Sequence, residues 1–209
     1  MGAYKYVEYV EKHLGLFSIL MAVFLTFGGM AEIVPLFYQA STIEPSPGVK
    51  PYPPLALAGR DIYVSEGCYA CHSQQIRRLR AEVQRYGPFS LAGESVYDRP
   101  FQWGSKRTGP DLARIGQKYS DAWHRQHLLD PRSVIAVSNM PAYPWLAKTR
   151  VDTDSIVTRM KVLRWMGDPY SDEDIAGAAR ALDGKTHMDA IIAYLQQLGS
   201  TRKIVDTPQ

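Results

Sequence analysis

Two cysteines in 209 residues are too few for a disulfide-stapled fold or for a zinc site built from cysteine alone. Blocks of basic residues are missing as well. The 24 Lys and Arg are scattered against 21 Asp and Glu, and the net charge of +3 carries no nucleic-acid signature. No stretch alternates apolar and polar residues at strand period, nothing repeats, and there is no low-complexity tail. Sheet sandwiches and solenoids therefore drop out. What remains is a globular composition, 45% hydrophobic and 22% charged, with one long uncharged apolar run.

That run, Leu14 to Ala31, continues past Glu32 through Ile33, Val34, Leu36, Phe37 and Tyr38. A helix of roughly 20 residues crosses a hydrocarbon layer of ~30 Å. Tyr4, Tyr6 and Tyr9 on one side and Phe37 and Tyr38 on the other suit the two interfaces. A cleaved signal peptide is the alternative, with Ala56-Leu57-Ala58 as its small-residue site, but that site lies far downstream of an apolar core that is itself too long. The expectation is a retained single-pass anchor. Lys5 and Lys12 precede the span and no Lys or Arg follows until Lys50, which favours a cytoplasmic N-terminus and an external domain. Ser18, Ala22, Thr26 and Gly29 give the anchor a stripe of small residues suited to close helix approach.

The chain divides by composition into a tail and anchor at 1–38, a Pro-rich extended linker at 39–54, a globular domain at 55–201 and a C-terminal tail at 202–209. Within the domain every periodic segment is helical. A short helix is expected from Ala58 to Cys68, and one carrying Ile156, Met160 and Leu163 between Asp152 or Thr153 and Gly167. Ser120 caps another through Leu129, Ser171 with Asp174 makes a capping box for a helix through Leu182, and Met188 to Leu198 forms the last helix before Gly199. The fold class is all-α: one transmembrane helix, then a helical domain.

Cys68-Tyr69-Ala70-Cys71-His72 carries the chemistry. Two thiols one helical turn apart, followed at once by an imidazole, form the attachment pattern of c-type haem: each sulfur takes one vinyl group and the histidine becomes the proximal iron ligand. A thioredoxin-like pair expects a buried strand before it, and none precedes Gly59 to Gly67. Zinc would need distant histidines. A plain disulfide gives the histidine no reason to follow.

An electron-transfer haem needs a second axial ligand. Of Met140, Met160, Met166 and Met188, two sit on helical stripes or helix starts and one ends a helix; Met140 lies in a loop stiffened by Pro141 and Pro144 and lined by Tyr143 and Trp145. His72 and Met140 are the expected iron ligands, with His124 and His127 a rival pair. Thr108-Gly109-Pro110-Asp111-Leu112 is placed to return to the proximal face, where Pro110 offers a carbonyl to the His72 N–H and Leu112 packs on the porphyrin. Arg107 beside that loop is the chosen partner for a haem propionate or an acidic neighbour.

The attachment motif, the Gly-Pro-Asp-Leu loop, the Met-Pro loop and a last helix bearing Tyr194 resemble a class I cytochrome c with insertions, in which Gly59 and Tyr194 belong to the packed helix pair. The longer segments from Cys68 to Arg77, Trp103 to Leu112, Tyr119 to Leu128 and Met140 to Leu146 resemble the monohaem subunit O, or FixO, of cbb3-type cytochrome c oxidase. The resemblance implies one covalent haem c and a bacterial inner-membrane location with a periplasmic haem domain. It implies partnership with the dihaem cytochrome c subunit and with the catalytic subunit that holds haem b, haem b3 and copper. In that hetero-oligomer the chain relays electrons in proton-pumping aerobic respiration and has no catalytic site of its own. The monohaem subunit of a nitric oxide reductase and a standalone anchored shuttle are the alternatives. The segments 73–105 and 148–186, longer than in a minimal cytochrome c, are expected to serve largely as subunit interface.

Overall fold

The computed structural model describes residues 2–201, so the expected tail at 202–209 lies outside the described residues. The chain forms two compact units, Met1–Glu44 and Pro45–Gln209. Among the described residues there is no strand, only an isolated antiparallel bridge between Arg150 and Thr186.

The first unit contains α1 (Gly2–Lys12), α2 (Leu14–Ile33), a 3-10 turn at Val34–Phe37 and α3 (Ala40–Ile43). Leu14–Phe37 is long and apolar enough to cross a membrane, and none of it is buried within the protein. Pro35 opens the 3-10 turn, where a missing N–H costs nothing. Ala40–Ile43 makes one helical turn, so the segment expected to be extended is not so throughout.

The second unit contains α4 (Pro54–Ser65), α5 (Arg80–Tyr86), α6 (Asp121–Leu129), α7 (Pro131–Val134), α8 (Thr153–Trp165), α9 (Asp172–Leu182) and α10 (His187–Gln197). The expected Ala58–Cys68 helix begins earlier and ends earlier. Pro54 sits in its first turn with φ already set for helix, and Gly67, at φ 70, turns the chain left-handed beyond Ser65. Ser120, Asp152 and Ser171 cap α6, α8 and α9, and Ser171 pairs with Asp174 in a capping box.

The centre of this unit is the crossing of α4 and α10. At Gly59 a Cβ atom would stand 2.5 Å from the Ala190 carbonyl carbon and 2.8 Å from Tyr194 Cβ, so glycine is what lets the two backbones touch. Tyr63 and Tyr194, both fully buried, pack beside the crossing with Leu195 and Leu198. Tyr52 reaches into the same place from the Pro-rich segment: its ring lies 5.5 Å from that of Tyr194 and its carbonyl accepts the Tyr170 hydroxyl at 2.9 Å.

Parts of the two long segments belong to the core of this unit. Ile156, Met160, Leu163, Ile175, Ala178 and Leu182 of α8 and α9 are buried in the main core with Leu57, Met188 and Ile191. Ile76 is buried, Asp98 pairs with buried Arg60, and Arg99 Nη2 lies 2.9 Å from Asp168. The buried faces of α8 and α9 supply apolar surface that the core of a small domain needs covered.

Candidate functional site

Gly67 breaks α4 so that Cys68–Ala70 forms a 3-10 turn, with Cys71 N–H donating to Cys68 O at 3.1 Å and His72 N–H to the same oxygen at 3.0 Å. Both cysteines are free thiols. Cys68 is half-buried against both apolar clusters, and burial pushes its thiol up to about 12, whereas Cys71 is exposed.

His72 is held by the return loop. Its Nδ1 lies 2.8 Å from Pro110 O. A carbonyl only accepts, so the proton sits on Nδ1 and the Nε2 lone pair is left free. Gly109 backs the ring: a Cβ there would lie 2.7 Å from both imidazole nitrogens. The two strands of chain are laced together, Gly109 N–H donating to Cys71 O at 2.9 Å and Leu112 N–H to Ser73 O at 2.8 Å. Asp111 completes the lacing by accepting from Ser73 Oγ at 2.6 Å, Gln75 N at 3.0 Å and Ala113 N at 2.8 Å. Leu112 packs beside Tyr63 and Tyr194.

Arg107 is committed to the protein. Its Nε donates to Ser73 Oγ at 2.8 Å, and its Nη2 donates to Gln75 O and Glu82 Oε2, each at 2.8 Å. Through Nε and Nη2 the guanidinium works as a strut of the proximal loop. Glu82, buried on α5, is the residue that sequence reasoning missed; its partners arrive through the fold, and the run Arg80-Ala81-Glu82-Val83 gives no signal of them.

Hydrogen bonds from Arg107 and Arg77 hold the Glu82 carboxyl well below the usual carboxylate range. An unfolded glutamate titrates near about 4.3, so the folded state keeps Glu82 ionised to lower pH and gains stability above that value. The gain disappears as pH falls through the depressed folded pKa. Glu82→Gln is therefore expected to lower the urea midpoint more at about pH 7 than at about pH 3. An equal deficit at both would remove the ion cluster from this account.

Met140 is half-buried on a loop tied down on its C-terminal side. Tyr143 N–H donates to Leu128 O at 2.8 Å, and Trp145 Nε1 donates to Glu66 Oε1 at 3.1 Å, two residues before Cys68. Met140 and Cys68 pack against the same core cluster. Met160 and Met188 are fully buried in the core and Met166 is exposed. His124 is buried in α6 and His127 half-buried, both with titration pushed down by burial.

Residues 7–187 match the family described as cytochrome C oxidase, mono-heme subunit/FixO. The chain belongs to this family. No curated protein matches it. The FixO match makes it a mono-haem subunit of cytochrome c oxidase, a component of electron transport, and takes that reading over the nitric oxide reductase and shuttle alternatives. The residues present fit a haem: two unpaired thiols at a helix end, an imidazole with a free Nε2, and a glycine whose missing Cβ makes room for that ring. Among the described residues the FixO subunit is all-α, with one helix long and apolar enough to serve as a membrane anchor.

Proposed function

We propose that this FixO chain relays single electrons from a dihaem cytochrome c subunit to haem b of the catalytic subunit in a cbb3-type oxidase. Cys68 and Cys71 would hold the haem covalently, His72 Nε2 and the Met140 sulfur would ligate its iron, and Pro110 and Leu112 would support His72 and the porphyrin. The domain stands in the periplasm on an inner-membrane anchor whose N-terminus is cytoplasmic. The observation that carries this reading is the Nδ1 contact of His72 with Pro110 O at 2.8 Å, which leaves the other nitrogen free to ligate.

Bound haem supplies iron that cycles between ferric and ferrous forms. The chain's own residues keep the surroundings of that iron fixed. Pro110 and Gly109 set the plane of the His72 ring, Arg107 and Asp111 hold the loop that carries them, and Tyr143 and Trp145 brace the Met140 loop against water. No proton moves and no bond is made at these residues, which suits fast one-electron exchange.

Met140→Leu tests the ligand set. The far-red sulfur-to-ferric-iron band is expected to vanish and the midpoint potential to fall, while pigment stays with the chain after denaturation. Retention of that band in the variant removes Met140 from its role, and pigment released on denaturing the wild type removes the covalent attachment.

A further inference from the structure

Tyr52 belongs to the Pro-rich stretch between the apolar helix and the haem domain, yet it is fastened into that domain. Its ring lies 5.5 Å from that of fully buried Tyr194, edge to face, and its carbonyl accepts the Tyr170 hydroxyl at 2.9 Å. Neither contact belongs to the lacing of the proximal loop or to the bracing of Met140. We propose that residues 46–53 are a strap fixed along the haem domain, with Tyr52 and Tyr170 as positioning residues, so that the relay works from a held position and not on a loose tether. The inference rests on the relay reading above and concerns how the relay is kept within reach of its partners.

The strap is fastened at both ends. At the outer end Ser46 N–H donates to the carbonyl of buried Gly93 at 2.9 Å, and Val49 N–H closes a turn onto Ser46 O at 3.0 Å with Gly48 at φ 84. At the inner end the donor to Tyr52 is itself fixed: Tyr170 is buried, its N–H donates to Asp168 O at 2.8 Å, and Arg99 Nη2 donates to the Asp168 carboxylate at 2.9 Å. Pro47, Pro51 and Pro53 stiffen what lies between. The inner fastening also touches the support of the haem site. The hydroxyl of Tyr194, against which Tyr52 packs, donates to Gln74 Oε1 at 3.1 Å, two residues beyond His72.

Length decides what the fastening does. With the strap seated, the free chain that follows the apolar helix ends at Pro45; with the strap released, residues 46–53 join it and add up to about 28 Å of reach. A longer free tether lowers the effective concentration of the tethered group at its target. One-electron exchange needs the two haems close together. A seated strap confines this haem in advance, because the ordering is done when the domain folds and not at each encounter.

The test uses the assembled oxidase in lipid nanodiscs with Tyr170→Phe and Tyr52→Ala. Hydrogen exchange, read by mass spectrometry on the peptide that contains Ser46 and Val49, follows the seating of the strap. Time-resolved absorbance follows electrons reaching this haem from the dihaem subunit. Tyr170→Phe, which loses one hydrogen bond, is expected to speed that exchange about fivefold, and Tyr52→Ala, which loses the ring as well, about a hundredfold. In Tyr52→Ala the transfer is expected to slow roughly tenfold and to spread over several phases, with the haem spectrum, the midpoint potential and reduction by a small artificial donor unchanged. Fast exchange of this peptide in wild type, or exchange that neither variant speeds, overturns the strap. Exchange that rises in Tyr52→Ala while transfer keeps its wild-type rate overturns the positioning role. If Tyr52→Ala does not assemble, the double variant Ser46→Pro with Tyr170→Phe, which removes one hydrogen bond from each end and no core ring, decides by the same two readings. A wild-type haem that the small donor reduces and the dihaem subunit cannot would instead strike the relay reading itself.

Discussion

Gly109→Ala is expected to fold and to lose its ordered iron site. The added methyl would meet both His72 nitrogens at 2.7 Å, well inside contact distance, with Cε1 nearer still. The ring cannot retreat without breaking the 2.8 Å contact with Pro110 O, and the loop cannot retreat because Asp111, Arg107 and the Cys71 carbonyl hold it. Whichever side yields, the imidazole leaves the axis set for it. The reduced variant is expected to bind carbon monoxide and wild type not to, and the variant's midpoint potential is expected to shift by several tens of millivolts or more, on the order of 1.4 kcal/mol per 59 mV for one electron. Helical content and thermal midpoint are expected to change little, since the methyl points at the site and not into the core. A variant with the wild-type spectrum and no carbon monoxide adduct would show that His72 does not depend on this backing.

Gly59→Val acts on the fold instead. Its Cβ would lie 2.5 Å from the Ala190 carbonyl carbon and 2.8 Å from Tyr194 Cβ, and both neighbours belong to a helix backed by the buried core. Helix backbones have no alternative rotamer, so α4 and α10 must separate along their closest crossing. Overpacking of this kind costs about 3 kcal/mol or more, equivalent to roughly 6–12 °C in thermal midpoint for a domain of this size. The haem spectrum of the folded fraction is expected to match wild type, the opposite pattern to Gly109→Ala. A midpoint within about 2 °C of wild type would mean that the crossing is not the keystone of the domain.

The helices were legible wherever the sequence carries both a cap and a stripe: Ser171 with Asp174 marks α9, Ser120 marks α6, and Ile191, Leu195 and Leu198 mark α10 and its end. The position of the haem motif after a short helix was legible too, although the helix stops at Ser65 because Gly67 turns the chain. Charge clusters were not legible. Arg107 stands 25 residues from Glu82 and 34 from Ser73 in sequence, and nothing local says that its guanidinium meets them. For the same reason α5, seven residues with a buried glutamate in place of an apolar stripe, gave no periodic signal. Gly109 reads as a turn residue, yet what the structure needs there is the absence of a side chain opposite His72.

The partner of the His72 N–H is a peptide carbonyl, and a peptide carbonyl neither gains nor loses a proton at any pH a cell experiences. Had a carboxylate stood in its place, the electron density lent to the imidazole would rise and fall with the acidity of the compartment, and the driving force of the relay with it. Main-chain support therefore insulates the potential of this subunit from the pH of its surroundings.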